Sequence, residues 1–203
     1  MTTLGILGSG KGSNFAALLR SLPPSARVGI VLSDNPEAGI LSLAREAGIP
    51  CGTIEEPRYR TRLSEDVEQG VADRLVEAGV GLVVLAGYMR LVKQPLLRAF
   101  PRRIINIHPS LLPAFPGLEA WKQALDAGVA ETGCTVHFVD EGMDTGEIIA
   151  QSRVPVLPTD SAASLHARIQ EAEHRLLPAV VADLCGRLDS RNEFPGWQTT
   201  FFR

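Results

Sequence analysis

Two side chains set two positions apart, Asn106 and His108, carry the sharpest chemical signal in the sequence. They alternate with apolar residues in Ile104-Ile105-Asn106-Ile107-His108, and Pro109 and the Leu112-Pro113 pair end regular structure directly afterwards. The pattern predicts a strand that presents an amide and an imidazole from one face at its carboxyl end, because side chains i and i+2 share a face. A lone histidine is more often a satisfied core residue. An amide and an imidazole together at a strand mouth are instead a pair of polar groups where open α/β sheets hold their ligands. An acid to serve the imidazole stands in Asp140-Glu141-Gly142-Met143-Asp144-Thr145-Gly146, a turn that otherwise reads as a solvated connection. If Asp144 reaches His108 it holds the ring and raises its pKa, much as the acid of a triad orients its imidazole. The turn lacks the alternating oxygen ligands and closing Glu of a calcium loop, and no nucleophile elbow accompanies it.

A second chemical stretch is Gly8-Ser9-Gly10-Lys11-Gly12-Ser13, placed between an apolar strand-like run and a helical one. Its amides and the helix N-terminus that follows form a site for an anion, with phosphate the natural guest; the alternative is a tight strand-to-helix turn. Neither nucleotide fingerprint fits. The glycines run G-x-G-x-G, although Asp34 ends the second strand where a ribose-binding acid sits, and Gly12 occupies the place of the Ser or Thr that follows a Walker lysine. Gly87-Tyr88-Met89-Arg90-Leu91 follows the most apolar strand, on the rim expected for His108, and reads either as an apolar wall for a flat organic ligand or as a strand-end turn with a snorkelling Arg. His137, His166 and His174 have no partner at metal-ligand spacing, so core or surface roles and no metal are expected.

These residues need a scaffold, and the chain spells one out. Leu4–Leu7, Val28–Leu32, Gly52–Ile54, Gly81–Ala86 and the 104–108 run read as strands, with helices over Asn14–Arg20, Gly39–Ala47 and Thr61–Ala78 between them. That alternation predicts a doubly wound α/β fold with a mostly parallel sheet of about seven strands. Further on, Leu118–Ala127 reads as a helix, Gly133–Val139 and Ile148–Val156 as an antiparallel pair, Ser161–Leu188 as a helix interrupted or bent near Pro178, and Arg191–Arg203 as a loose tail. The 203 residues, 45% apolar and 21% charged, suit one domain with an ample core. A net charge of −3 argues against a broad nucleic-acid footprint. Cys51, Cys134 and Cys185 are widely spaced and odd in number, as in a reducing cytoplasm, and neither a basic leader nor a membrane-length apolar run is apparent. A monomer or a homodimer is expected.

Taken together, GSGKGSNF, LAGYMRLV, INIHPSLLPAFPG and HFVDEGMDTGEI, in this order, resemble the phosphoribosylglycinamide formyltransferase family, folate-dependent transformylases of purine synthesis. The match runs over nearly the whole chain. INIHPSLLP and the D-x-G turn are shared with wider formyltransferases acting on initiator methionyl-tRNA or on formyltetrahydrofolate, and G-x-G-S-N is the narrower signal. The resemblance implies a single formyltransferase domain over 1–203, with a phosphate-binding Rossmann-like half (1–100), a catalytic and folate-binding half (101–190) and a tail (191–203).

Carried over residue by residue, the resemblance implies that Asn106, His108 and Asp144 are catalytic, Asn106 and a protonated His108 serving as donors to the oxyanion. It puts the phosphate of 5-phosphoribosylglycinamide on the amides of Gly12, Ser13 and Asn14, with Glu173 near the glycinamide amine. The co-substrate, 10-formyltetrahydrofolate, lies against Met89, Arg90, Leu91 and Val92 and reaches Asn106, with Arg62 toward its glutamate tail and the Leu112-Pro113 bond cis. Three residues depart from the family pattern: Lys11 stands where Asn is common, Trp121 where His is common and Glu147 where Pro is common, the last predicting a less rigid catalytic turn. Two other readings use the same motifs. A formyltransferase acting on a nucleotide-linked sugar amine shares Asn106, His108 and Asp144, and a non-catalytic dinucleotide-binding module uses Gly8 to Gly12 with Asp34.

Overall fold

Four-residue runs with no polar side chain belong inside a sheet covered on both faces, and Leu82–Leu85 shows why. Leu82 and Val84 point into one apolar core, while Val83 and Leu85 point into another on the opposite face. The structure, a computed structural model, describes residues 1–56, 58–191 and 200–202. In chain order its elements are β1 (Thr2–Leu7), α1 (Ser13–Arg20), β2 (Ala26–Ser33), α2 (Gly39–Glu46), β3 (Cys51–Thr53), α3 (Glu65–Glu77), β4 (Leu82–Leu85), α4 (Gln94–Ala99), β5 (Ile104–His108), α5 (Ala120–Asp126), β6 (Glu131–Phe138), β7 (Ile148–Pro155), α6 (Ala162–Arg191) and β8 (Thr200–Phe202). The described strands form one sheet of eight in the order β3-β2-β1-β4-β5-β6-β7-β8. Neighbours run parallel from β3 to β5, β6 is antiparallel to both β5 and β7, and β8 is parallel to β7.

Phe15 and Leu18 of α1, Ile40 and Leu41 of α2, and Leu165, Ile169 and Leu177 of α6 pack on one face. Val71 and Leu75 of α3 and Leu96 of α4 pack on the other. The doubly wound mostly parallel α/β fold expected from the sequence is therefore the fold observed.

The differences are local. Helix α3 begins at Glu65, four residues after Thr61, because Glu56 takes both the amide and the hydroxyl of Ser64 and fixes the helix start there. The short α4 has Pro95 in its first turn and went unread in the sequence, being a six-residue segment. Helix α6 runs on through Pro178 without interruption. Of the expected loose tail, residues 192–199 and 203 lie outside the described residues, and 200–202 form β8. All three cysteines are free, and among the described residues no helix is long and apolar enough to cross a membrane.

Candidate active site

Strand β5 delivers its polar side chains as its alternation predicts. Ile105 and Ile107 enter the core under α6, so Asn106 and His108 project from the opposite face. The antiparallel partner β6 puts His137 directly across from Asn106. Directly opposed residues share a face, and Asn106 Nδ2 lies 3.2 Å from His137 Nε2. The turn after β6 then brings Asp144 over this group. Its Oδ2 is 3.3 Å from His108 Nδ1, and its Oδ1 is 3.5 Å from Asn106 Nδ2 and 3.6 Å from His137 Nε2. The three residues that the motifs single out for catalysis are therefore neighbours. The fourth, His137, has the sequence surroundings of a core or surface residue. Only its cross-strand register identifies it, since its flanks Val136 and Phe138 are ordinary core residues.

The turn that carries Asp144 is tied at several points. Asp140 Oδ1 accepts the Gly142 amide at 3.0 Å and the Thr145 hydroxyl at 2.7 Å, closing the turn on itself. A Cβ on Gly146 would stand 1.7 Å from the Phe138 carbonyl oxygen, so only glycine lets the chain return against β6. Asp144 sits at φ 55, a left-handed conformation for a non-glycine residue, and accepts the Gly117 amide at 2.8 Å. Glu147, at the position where proline was expected to supply rigidity, forms a 2.8 Å ion pair with Arg102, whose guanidinium also lies 5.0 Å from the centre of the Phe138 ring. At the other end Lys93 Nζ donates to the Glu141 carbonyl at 3.3 Å, and Gln94 bonds the Glu141 carboxylate.

On the far side of His108 lies the 109–119 loop. Its Leu112-Pro113 bond is cis, as the family resemblance implied. Thr135 Oγ1 donates to Ser110 O at 2.6 Å and accepts the Leu112 amide at 3.0 Å, while Gln151 donates to Leu112 O at 2.9 Å. These supports were not singled out in the sequence, because Thr and Gln in strands carry no motif. The loop brings the Phe115 carbonyl within 2.9 Å of His108 Nε2.

His108 is only 4% exposed. Burial pushes its pKa below the ordinary imidazole value, while the Asp144 charge and the Phe115 carbonyl pull the other way and do not prevail. This corrects the expectation of a raised pKa: Asp144 acts in the expected direction, but desolvation is larger. Both ring nitrogens nevertheless face oxygen acceptors, an arrangement that a neutral ring satisfies at one nitrogen only. Asp144 itself is also partly desolvated, which raises its pKa. The opposing effects of His137, the Gly117 amide and His108 win and hold it below the ordinary carboxylate value.

The glycine loop opens at the carboxyl end of β1. Gly12 caps α1 at φ 81, and a Cβ there would stand 2.9 Å from Ile40 Cα. The amides of Gly12, Ser13 and Asn14 thus begin the helix, and Lys11 is exposed beside them. Asn14 is buried and donates through Nδ2 to Glu173 Oε2 at 2.9 Å, while its Oδ1 has no hydrogen-bond partner among the described residues. Glu173 on α6 is 6% exposed, and burial, opposed by the Asn14 hydrogen bond, pushes its pKa up to about 7.

The segment after β4 mixes access and engagement. Met89 is 59% exposed, Val92 is buried, and Leu91 bridges to Arg62, whose guanidinium lies 4.3 Å from the centre of the Tyr59 ring. The Arg90 side chain turns inward, with Nε 2.6 Å from Asp34 Oδ2 and Nη1 2.5 Å from Tyr59 O. Asp34 Oδ1 accepts the Ser9 hydroxyl at 2.5 Å. Both oxygens of the acid that a dinucleotide-binding reading gives to a ribose are therefore held by the protein itself.

The formyl transferase family matches residues 3–181. The chain is 41% identical over 196 residues to the phosphoribosylglycinamide formyltransferase of Bacillus subtilis, covering 95% of this chain and 99% of that one. It is 48% identical over 182 residues to the trifunctional purine biosynthetic protein adenosine-3 of Drosophila pseudoobscura pseudoobscura, covering 87% of this chain but only 13% of that protein's length. Among solved structures, glycinamide ribonucleotide transformylase 1 from Symbiobacterium toebii superposes with a TM-score of 0.86 at 46% identity, covering 92% of this chain and 89% of that one.

Proposed function

The chain belongs to the formyl transferase family, and from that premise we propose that it transfers a formyl group from 10-formyltetrahydrofolate to the amine of 5-phosphoribosylglycinamide, a step of de novo purine (IMP) biosynthesis. It is an enzyme of one-carbon group transfer, and the Bacillus subtilis relative that it spans almost end to end is a phosphoribosylglycinamide formyltransferase. The observation that carries the mechanistic reading is the convergence of Asn106, His108 and His137 on the one carboxylate of Asp144.

The amine attacks the formyl carbon, the carbonyl electrons move onto oxygen, and the tetrahedral centre collapses with departure of the folate nitrogen. A proton passes from the attacking amine to that leaving nitrogen, so no covalent enzyme intermediate is needed. Negative charge grows on the formyl oxygen, and donors aimed at it act most strongly in the transition state. Asn106 Nδ2 and His108 Nε2 are the donors. In the resting protein the His108 Nε2–H faces the Phe115 carbonyl at 2.9 Å, so an oxyanion takes over a donor that a neutral acceptor holds beforehand. The imidazolium that burial disfavours becomes favoured as that charge develops, with Asp144 stabilising it at Nδ1 and relaying the amine proton through water.

The Gly12, Ser13 and Asn14 amides take the substrate phosphate, and Glu173 lies toward the glycinamide amine. The exposed Met89, with Arg90, Leu91 and Val92, forms the wall for the folate, whose pteridine is met by backbone groups and whose glutamate tail extends toward Arg62. The setting is the cytoplasm. The test is the absorbance change on loss of the formyl group from 10-formyltetrahydrofolate, with and without glycinamide ribonucleotide. Turnover that requires the ribonucleotide is expected. Turnover without it makes the protein a hydrolase of the folate, and turnover only with a nucleotide-linked sugar amine reassigns the acceptor.

A further inference from the structure

Ser9 engages both of the loops that flank it, through its backbone and its hydroxyl at once. It follows β1, whose sheet neighbours are β2 on one side and β4 on the other. Toward the loop leaving β4, the Ser9 amide donates to Gly87 O at 3.0 Å, and its Oγ accepts the Met89 amide at 2.9 Å. Toward the loop leaving β2, the same Oγ donates to Asp34 Oδ1 at 2.5 Å, and Ser9 O accepts from Asn35 Nδ2 at 3.3 Å. Asp34 closes the circuit by pairing through Oδ2 with Arg90 Nε at 2.6 Å, both side chains being 10% exposed. Ser9, Asp34, Arg90 and Met89 thus form a ring, three hydrogen bonds closed by the Met89-Arg90 peptide bond, at the point where the strand order reverses direction, the crevice where sheets of this kind hold ligands.

A hydroxyl that donates and accepts in the same ring fixes two loops relative to a third, and such chains polarise one another. Ser9 precedes Gly12 by three residues in the loop assigned to the substrate phosphate, and Met89 opens the segment assigned to the formyl donor. We propose that Ser9 is a positioning residue that couples these two subsites, so that each substrate binds more tightly once the other is in place. Because the ring ties the two loops together, a ligand that settles one of them settles the other through it, and the second ligand finds its wall already held. Asp34, with the Arg90 guanidinium, carries the coupling from the hydroxyl into the donor segment. This inference rests on the formyl-transfer reading above.

Calorimetric titration with tetrahydrofolate, which lacks the formyl group and cannot turn over, tests it in wild type, Ser9→Ala and Ser9→Thr. Saturating glycinamide ribonucleotide is expected to tighten tetrahydrofolate binding to wild type by about fivefold or more, the lower range for coupled sites. Ser9→Ala is expected to bind each ligand singly with that enhancement lost, and Ser9→Thr, which restores the hydroxyl, to recover it. Should Ser9→Ala not fold, Asp34→Asn keeps the Ser9 bonds to Gly87 and Met89, weakens the link to Arg90, and is expected to reduce the enhancement. An equal enhancement in wild type and Ser9→Ala, or in wild type and Asp34→Asn if that variant stands in, overturns the coupling and leaves the formyl-transfer reading intact. So does independent binding of the two ligands to wild type. Failure of wild type to bind either ligand overturns the reading and the coupling with it.

Discussion

His108 is subject to opposed demands. Its burial disfavours charge, while acceptors at both ring nitrogens favour it. Replacing Asp144 by Asn removes the influence that lifts the ring's affinity for protons, so the His108 pKa is expected to fall further; ring nitrogen shifts followed by NMR through a pH titration measure this. A neutral-preferring buried histidine contributes stability above its ordinary value near 6.5, and that contribution is lost as pH falls through its lower folded value. Removing either donor proposed for the oxyanion, by Asn106→Ala or His108→Ala, is expected to lower kcat by roughly 100- to 1000-fold, read in the formyl-loss assay at saturating substrates. These two residues were legible because strand alternation is local. His137 was not, since its place beside Asn106 depends on pairing between strands more than twenty residues apart along the chain.

The turn that carries Asp144 is tied by the close approach of Gly146 to Phe138 and by polar contacts at each end, in a chain that lacks the family pattern's proline there. The Arg102–Glu147 pair is half-exposed, so Arg102→Ala is expected to cost only about 0.2–1 kcal/mol of stability in urea unfolding. Its effect should appear instead as a lower kcat in the formyl-loss assay, because the turn it ties carries Asp144. Gly12→Ala is a different case. The left-handed conformation alone costs about 1–2 kcal/mol for an alanine, and the added Cβ also meets the α2 backbone at 2.9 Å, so a larger loss of stability is expected from the same measurement. The glycine loop was legible as a strand-to-helix turn by composition. What its glycines approach, the start of α2, was not, because that neighbour is brought in by the second βα unit.

At the scale of the whole molecule, the buried acid Glu173 ties stability to pH. Glu173 joins α6 to α1 through Asn14, and its pKa rises from 4.5 to about 7 on folding. Between those values the folded chain keeps a proton that the unfolded chain has released, so stability falls as pH rises through the window and levels off above it. At about 1.4 kcal/mol per pKa unit the change is on the order of 3 kcal/mol. Chemical unfolding of wild type and Glu173→Gln from pH 4 to pH 8 should show less loss of stability with rising pH in the second, the difference being the Glu173 contribution. The fold was largely legible because alternating strands and helices admit few topologies. The strand at the far edge of the sheet was not, since Thr200–Phe202 gain meaning only beside β7. Between α5 and α6, beside the buried Ala120 and Ala124, two rings, Trp121 and His166, stack 3.7 Å apart and inclined by 4°. The stack gives the protein an optical signal of its own. An imidazolium in face-to-face contact quenches indole emission, and burial keeps His166 neutral to lower pH than usual. With Trp197, the other of the two tryptophans, replaced by Phe, emission should dim only on acidification below the ordinary imidazole range, and at that lower pH brighten when α5 leaves α6, reporting that movement without a label.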